Sequence, residues 1–171
     1  MDTKIIIVKK TTEAVMQIAF ETPDQPDVHA LIGELDAYLY SLYPPENVYA
    51  LDLSSLLHPG VLFAVARDVA GVAAGCGAIV MQPEYGEVKR MYVRPPARGR
   101  GLARRLIETL EAKAMKQGCR IFMLETGPTQ PEALMLYERL GYQYRGPFGD
   151  YPDDPLSVFM QKNAKKVLRS R

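Results

Sequence analysis

The chain has 171 residues, with 21 Lys and Arg against 20 Asp and Glu, for a formal net charge of +1. That length fits one domain with a real core and not two full-sized ones, and 47% apolar with 24% charged residues describes a globular chain. The composition excludes a disordered chain, a coiled coil and a collagen-like repeat, and near-neutrality argues against a general nucleic-acid binder.

Two cysteines, Cys76 and Cys119, sit in apolar runs without a C-x-x-C spacing, so they read as small buried hydrophobes in a reducing, cytoplasmic setting. The apolar run Ile5–Val8 is too short for a signal segment, and no stretch approaches the ~20 apolar residues that span a bilayer, so no membrane partner is expected. The two histidines lack a metal-ligand spacing: His29 reads as a helix-surface residue and His58 as part of a turn with Pro59 and Gly60. No metal site is expected.

In chain order, Lys4–Lys9 and Ala14–Phe20 read as short strands. Thr22-Pro23-Asp24-Gln25-Pro26 is a helix-start signature with Asp24 as the candidate N-cap. Val28, Leu31, Ile32, Leu35, Leu39 and Leu42 follow at helical spacing, and Pro44-Pro45 ends that helix. A short helix is expected within 51–57, then strands at Val61–Ala66 and Val72–Met81 around the turn 68–71. Gly86–Val93 is another strand. It runs into the loop Arg94-Pro95-Pro96-Ala97-Arg98-Gly99-Arg100-Gly101, and a helix follows with Leu102, Leu106, Ile107, Leu110 and Ala114 on one face and Gly118 beyond its end. Cys119–Leu124 is a short apolar strand of central character. Thr129-Gln130-Pro131-Glu132 reads as a capping box opening a helix to Leu140. Tyr142–Arg145 and Ser157–Gln161 are the last strands, with a loop rich in Pro, Gly and Asp at 146–156, and 163–171 is a basic tail. The fold expected is α/β in the α+β sense: a mixed, mostly antiparallel central sheet with helices on both faces, in a single domain over 1–171 with its core at about 14–162.

The loop at 98–103 carries the strongest local signal. Its two glycines let backbone N–H groups approach a ligand, and the first turn of the next helix adds unpaired N–H groups and a positive dipole end. Together these suit a pyrophosphate, with Arg98, Arg100, Arg104 and Arg105 nearby. A dinucleotide fingerprint wants Gly or Ala where Arg104 stands, and the Gly-Lys-Ser/Thr of a P-loop is absent. Residues 89–105 hold seven basic residues and no acidic one, so the other 14 basic residues face 20 acidic ones, a net of −6. That concentration fits one polyphosphate cofactor better than an extended nucleic acid.

Val93–Ala103 resembles the acyl-CoA loop of the GCN5-related N-acetyltransferase superfamily, whose pattern Gln/Arg-x-x-Gly-x-Gly/Ala is met by Arg98, Gly101 and Ala103. Downstream, Ala133-Leu134-Met135-Leu136-Tyr137-Glu138-Arg139-Leu140-Gly141-Tyr142 looks like the superfamily's Ala-x-x-Leu-Tyr-x-x-x-Gly-Phe/Tyr element. The resemblance covers about 14–162 in element order and is sharp over 86–142. It implies the acyl-CoA N-acyltransferase fold, acetyl-CoA as cofactor and a small-molecule or peptide amine as acceptor. The cofactor residues it implies are Met91, Tyr92, Val93, Arg98, Gly99, Arg100, Gly101, Leu102, Ala103, Arg104, Gln130, Ala133 and Tyr137. Many members carry Asn where this chain has Gln130, seven residues before Tyr137. The resemblance also implies Met91 N–H as the oxyanion donor, a cofactor arm lying along Met91–Val93 in a splay beside the next strand, and Tyr137 as the acid.

Two residues are candidate bases. Glu125 follows Ile121–Leu124 and matches the glutamate of the ribosomal-protein N-terminal acetyltransferases. Glu87 matches the histone-acetyltransferase base and shares a face with Met91 by strand alternation. The other reading of Glu87 is an ion pair with Lys89, and of Glu125 a strand-end carboxylate binding backbone N–H. Tyr43-Pro44-Pro45-Glu46 with Tyr49 after the first helix, and the segment 148–154 with Asp150, Tyr151, Asp153 and Asp154 in the last hairpin, combine aromatics with carboxylates on the acceptor side. A non-catalytic acyl-CoA-binding or regulatory module on the same fold, and a dinucleotide-binding protein, are the competing readings. A monomer or a homodimer is compatible with all of them.

Overall fold

The computed structural model describes residues 15–165, so the expected strand at Lys4–Lys9 and the tail beyond Lys165 lie outside the described residues. Helix α1 (Pro26–Leu42) begins with proline in its first turn and buries Val28, Leu31, Ile32 and Leu35 along one stripe. Its N-cap is Gln25, not Asp24, whose carboxylate instead meets His29 Nε2 at 3.1 Å. Gln25 turns its amide back to the Thr22 carbonyl and Glu21, so the helix entry is held by side-chain bonds outside the cap position.

The chain continues through α2 (Leu53–Leu56), capped by Asp52, into three strands, β2 (Val61–Arg67), β3 (Ala73–Met81) and β4 (Gly86–Val93), preceded in the chain by β1 (Gln17–Phe20). Helix α3 (Leu102–Lys116) then leads to β5 (Ile121–Thr126), α4 (Pro131–Arg139), β6 (Gln143–Arg145) and β7 (Val158–Asn163). The strands form one seven-stranded sheet in the order β1-β2-β3-β4-β5-β7-β6. Every neighbouring pair is antiparallel except β4–β5, which α3 connects as a parallel crossover. The mixed sheet read from the sequence is therefore the observed one. β7 runs past Gln161 to Asn163, and Ala164 N–H reaches the Arg120 carbonyl at 2.8 Å, so the start of the basic tail belongs to the sheet.

Helices cover both faces. On one, α3 drives Leu102, Leu106, Ile107, Leu110 and Ala114 against Ile79, Val88 and Val93, each large side chain contributing roughly 1.5–3 kcal/mol of burial. On the other, α1 and α2 pack Val28, Leu31, Ile32 and Leu56 against Phe63, Val65, Cys76 and Ala78. The small residues of β3 permit this approach: a Cβ on Gly77 would collide with Met91 Sδ and touch Leu110 of α3. Both cysteines are free and buried.

A single irregularity interrupts the sheet. The β3–β4 register pairs Ala78 with Lys89 but Cys76 with Tyr92, so Gly77 alone faces Arg90 and Met91. Arg90 sits at φ 57°, the only non-glycine described with positive φ. This is a β-bulge, which bends its strand and interrupts pairing. The buried Arg90 side chain pins it, donating from Nε to the Leu51 carbonyl at 2.7 Å and pairing through Nη1 with Asp36 of α1. Just before the bulge β4 leaves β5: their pairing ends at Val88–Leu124, although β4 continues to Val93. The bulge also reverses strand alternation. Glu87 shares its face with Val80 and Ala78, toward α1, whereas Met91 faces α3, so the two do not share a face as expected from the sequence.

Arg90→Ala should destabilise the fold by roughly 2–4 kcal/mol, because it strips Asp36 and the Leu51 carbonyl of their partner. Arg90→Gly should cost about 1 kcal/mol less than Arg90→Ala, since glycine adopts positive φ without a Cβ clash. Urea unfolding of both variants checks this, and equal losses would contradict strain at the bulge.

Candidate active site

Around the bulge, the Lys89–Val93 backbone has no strand partner on its β5 side among the described residues. The splay expected along Met91–Val93 is therefore present. Arg94 closes the far end of β4: its guanidinium grips Glu34 of α1 and donates to the Ala73 carbonyl at 2.8 Å. The chain then turns through Pro95–Ala97, and Arg98 folds back, with Nε on the Val93 carbonyl at 2.8 Å and its guanidinium 5.7 Å from the Tyr92 ring centroid.

Gly99 and Gly101 adopt φ 78° and 71°, where a side chain would be strained, and the space around both is open. Gly101 is the N-cap of α3, with no side-chain cap and no acidic residue in the first turn. The first backbone bond of the helix is Arg105 N–H to the Gly101 carbonyl at 3.1 Å, so the N–H groups of Leu102, Ala103 and Arg104 have no protein partner among the described residues. The Leu102 side chain itself is buried in the core, leaving only its backbone for a ligand. Arg100 is exposed, Arg104 pairs with Glu108 one turn on, and Arg105 donates to the Met16 carbonyl at 2.8 Å. Positive φ at two glycines, an uncapped helix end and flanking guanidinium groups fit a pyrophosphate.

Across the gap from β4 lies a cavity of about 130 Å³. It brings together Met91 of β4, Glu125 of β5, and Gln130, Ala133 and Tyr137 at the start of α4. Glu125 lies inside β5, paired with Phe159, and not after the strand end. One carboxylate oxygen accepts from Ser157 Oγ at 2.8 Å. Burial raises its pKa above the ordinary 4.5, opposed by the Ser157 bond and the Lys89 charge. Burial also raises the Tyr137 phenol, with the Glu125 charge adding to it, and its hydroxyl makes no hydrogen bond among the described residues. Gln130 turns its side-chain oxygen to Gly127 N–H at 3.3 Å, holding the turn into α4. Thr129 does not complete a capping box, because Tyr43 competes for it: Thr129 Oγ1 donates to Tyr43 Oη at 2.6 Å. The Tyr43 ring fills the space a Cβ on Gly127 would need, so it buttresses this turn as well as lining the cavity.

Glu87 is buried and does not line the cavity. Tyr151 Oη donates to it, and Lys89 Nζ stands 3.5 Å away, the ion pair that sequence offered as the other reading of this residue. Glu46 and Asp150 are exposed and outside the cavity lining.

The Acetyltransferase (GNAT) family pattern matches residues 28–142. The chain belongs to the GNAT acetyltransferase family. It is 50% identical over 147 residues to the "IAA acetyltransferase" of Azospirillum brasilense, covering 85% of this chain and 95% of that protein. A solved structure from Klebsiella pneumoniae, assigned as an acyl-CoA N-acyltransferase, shares 40% identity and a TM-score of 0.77 over 88% of this chain and 99% of that one. The PaiA N-acetyltransferase of Thermoplasma acidophilum, solved with coenzyme A, shares the fold at 15% identity and a TM-score of 0.65, over 87% of this chain and 99% of that one. Among its described residues, this GNAT N-acetyltransferase has no helix long and apolar enough to cross a membrane.

The sequence singles out the segments holding Tyr49 and Asp154, but not the contact that joins them. Asp154 accepts from Asn47 Nδ2 at 2.7 Å and Tyr49 Oη at 2.9 Å, joining the loop after α1 to the loop before β7. Nothing in the spacing of residues 105 and more apart signals that contact. The bulge did leave a signal: Lys89-Arg90 places two consecutive cations where the alternation of Glu87-Val88-Lys89 breaks off.

Because the pKa of the Glu125 carboxyl is raised, it binds its proton more tightly folded than unfolded. Its contribution is whole below the ordinary value of 4.5 and is lost as pH rises through the folded-state value. Glu125→Gln should therefore melt above wild type at about pH 7.5, with the difference shrinking toward about pH 4. Thermal melts across that range check this, and a difference that widens on acidification would contradict it.

Proposed function

We propose that this protein is an acetyl-CoA-dependent N-acetyltransferase that passes the acetyl group to a primary amine by direct attack in a ternary complex. The observation that carries the reading is one continuous path. The uncapped N-terminus of α3 leads through Arg98 to the unpaired edge of β4, and that edge ends at the cavity holding Glu125 and Tyr137.

The N–H groups of Leu102, Ala103 and Arg104, with Gly99 and Gly101 beside them, hold the pyrophosphate, and Arg98, Arg100 and Arg104 add charge. Tyr92 and Val93 flank the arm of the cofactor, and Gln130 and Ala133 face it across the gap. Bound there, acetyl-CoA supplies an acetyl group activated as a thioester. The Met91 N–H is the donor for negative charge developing on the acetyl oxygen. Glu125 takes the proton from the acceptor ammonium, a task helped by its raised pKa. The buried Tyr137 hydroxyl stays protonated and gives its proton to the departing sulfur. Glu87, tied to Tyr151 and Lys89, organises the acceptor side instead of serving as the base. IAA, the compound in the Azospirillum relative's name, belongs with amines in the acceptor panel.

Thiol release with acetyl-CoA and an amine panel tests the assignment. Glu125→Gln should lower kcat/KM by about 10²-fold and remove the acidic limb of the pH profile, whereas Glu87→Gln should keep that limb. An unchanged profile in Glu125→Gln would remove it as the base. Tyr137→Phe should lower kcat by about 10²-fold with little change in the KM for acetyl-CoA, and a wild-type kcat would remove its acid role.

A further inference from the structure

We infer that the acceptor is a compact amine with a single positive charge and an apolar body, not a polyamine or a lysine-bearing peptide. The inference rests on the N-acetyltransferase reading and narrows its substrate class.

The cavity wall away from β4 carries Leu35, Leu39, Val48, Leu51 and Leu156 among the neutral Tyr43, Asn47 and Tyr49, so it offers contact area and no counter-charge. Among the described lining residues the only carboxylate is Glu125, and its hydrogen bond comes from a neutral serine. Two cations, Lys89 and Arg90, line the same cavity.

The other carboxylates near the cavity are already engaged. Asp36 pairs with Arg90, and Glu34 with Arg94. Glu87 takes the Tyr151 hydroxyl and lies 3.5 Å from Lys89. Asp154 accepts from Asn47, Tyr49 and the Leu156 N–H. Lys89 is fixed in turn, donating to the Tyr49 carbonyl at 2.8 Å and Tyr151 Oη at 2.6 Å, so it stays beside Glu87.

One ammonium can be neutralised at Glu125. A second would lose its hydration with no free carboxylate to compensate, since Lys89 and Arg90 already hold Glu87 and Asp36. Glu46 and Asp150 are exposed and outside the lining, where an ion pair in water contributes little. A carbon body, in contrast, gains from covering the leucine and valine side chains, and a cavity of about 130 Å³ suits a compact body better than a peptide chain.

The test measures thiol release at saturating acetyl-CoA with 2-phenylethylamine, spermidine and a short lysine-bearing peptide, in wild type and in Val48→Glu. In wild type, kcat/KM for 2-phenylethylamine should exceed that of the other two by about tenfold or more. Val48→Glu places a second carboxylate in the wall, and should move the ratio of 2-phenylethylamine to spermidine toward spermidine by about threefold or more. Spermidine or the peptide matching 2-phenylethylamine in wild type overturns the inference and leaves the N-acetyltransferase reading standing. An unmoved ratio in a folded Val48→Glu overturns the charge argument behind it. Thiol release with no amine, in protein that binds acetyl-CoA, overturns the amine reading and this inference with it.

Discussion

The site depends on Arg90. A regular strand could keep its parallel register with β5 only as far as Arg90, opposite Thr126 at the end of β5, and the observed pairing stops earlier, at Val88. The extra residue opposite Gly77 bends β4, and Arg90, held at φ 57° by Asp36 and the Leu51 carbonyl, fixes the bend in place. A positive φ on a side chain other than glycine costs free energy, and the buried guanidinium contacts offset it. The strain is thus stored where the strand edge must be free, and α1, β4 and the loop before α2 are locked together by the same side chain.

That one bend accounts for the placement of the other parts. It lies where the gap between β4 and β5 begins, with the Lys89–Val93 backbone along that gap. It turns Met91 toward α3 while Glu87 and Lys89 remain on the α1 face with Tyr151. The positive stretch at 89–105 is accordingly divided in two. Lys89, Arg90 and Arg94 are used internally against Glu87, Asp36 and Glu34, where they brace the sheet against α1 and the acceptor side. Arg98, Arg100, Arg104 and Arg105 stand around the helix end, with Arg104 paired to Glu108 and Arg105 on the Met16 carbonyl.

Much of this was legible in the sequence because it rests on local chemistry. The glycines at 99 and 101, the apolar stripe of α3 and the Ala133–Tyr142 motif each specify a backbone geometry from a few neighbouring residues. What local chemistry cannot encode went unread. Strand alternation assumes no inserted residue, so Glu87 and Met91 were placed on one face. The Asp24 cap and the Thr129 capping box are sound local patterns that lose to other partners, His29 and Gln25 at one and Tyr43 at the other. The Asn47–Tyr49–Asp154 contact joins loops distant in sequence and becomes visible only in the fold.

The central claim is that the freed edge of β4 and the uncapped start of α3 together form the acetyl-CoA site. Amide hydrogen exchange, with and without acetyl-CoA, tests it most directly. The account predicts slowed exchange at amides within Lys89–Val93 and at Leu102–Arg104 together. Protection at α3 alone, with exchange in Lys89–Val93 unchanged, would contradict it.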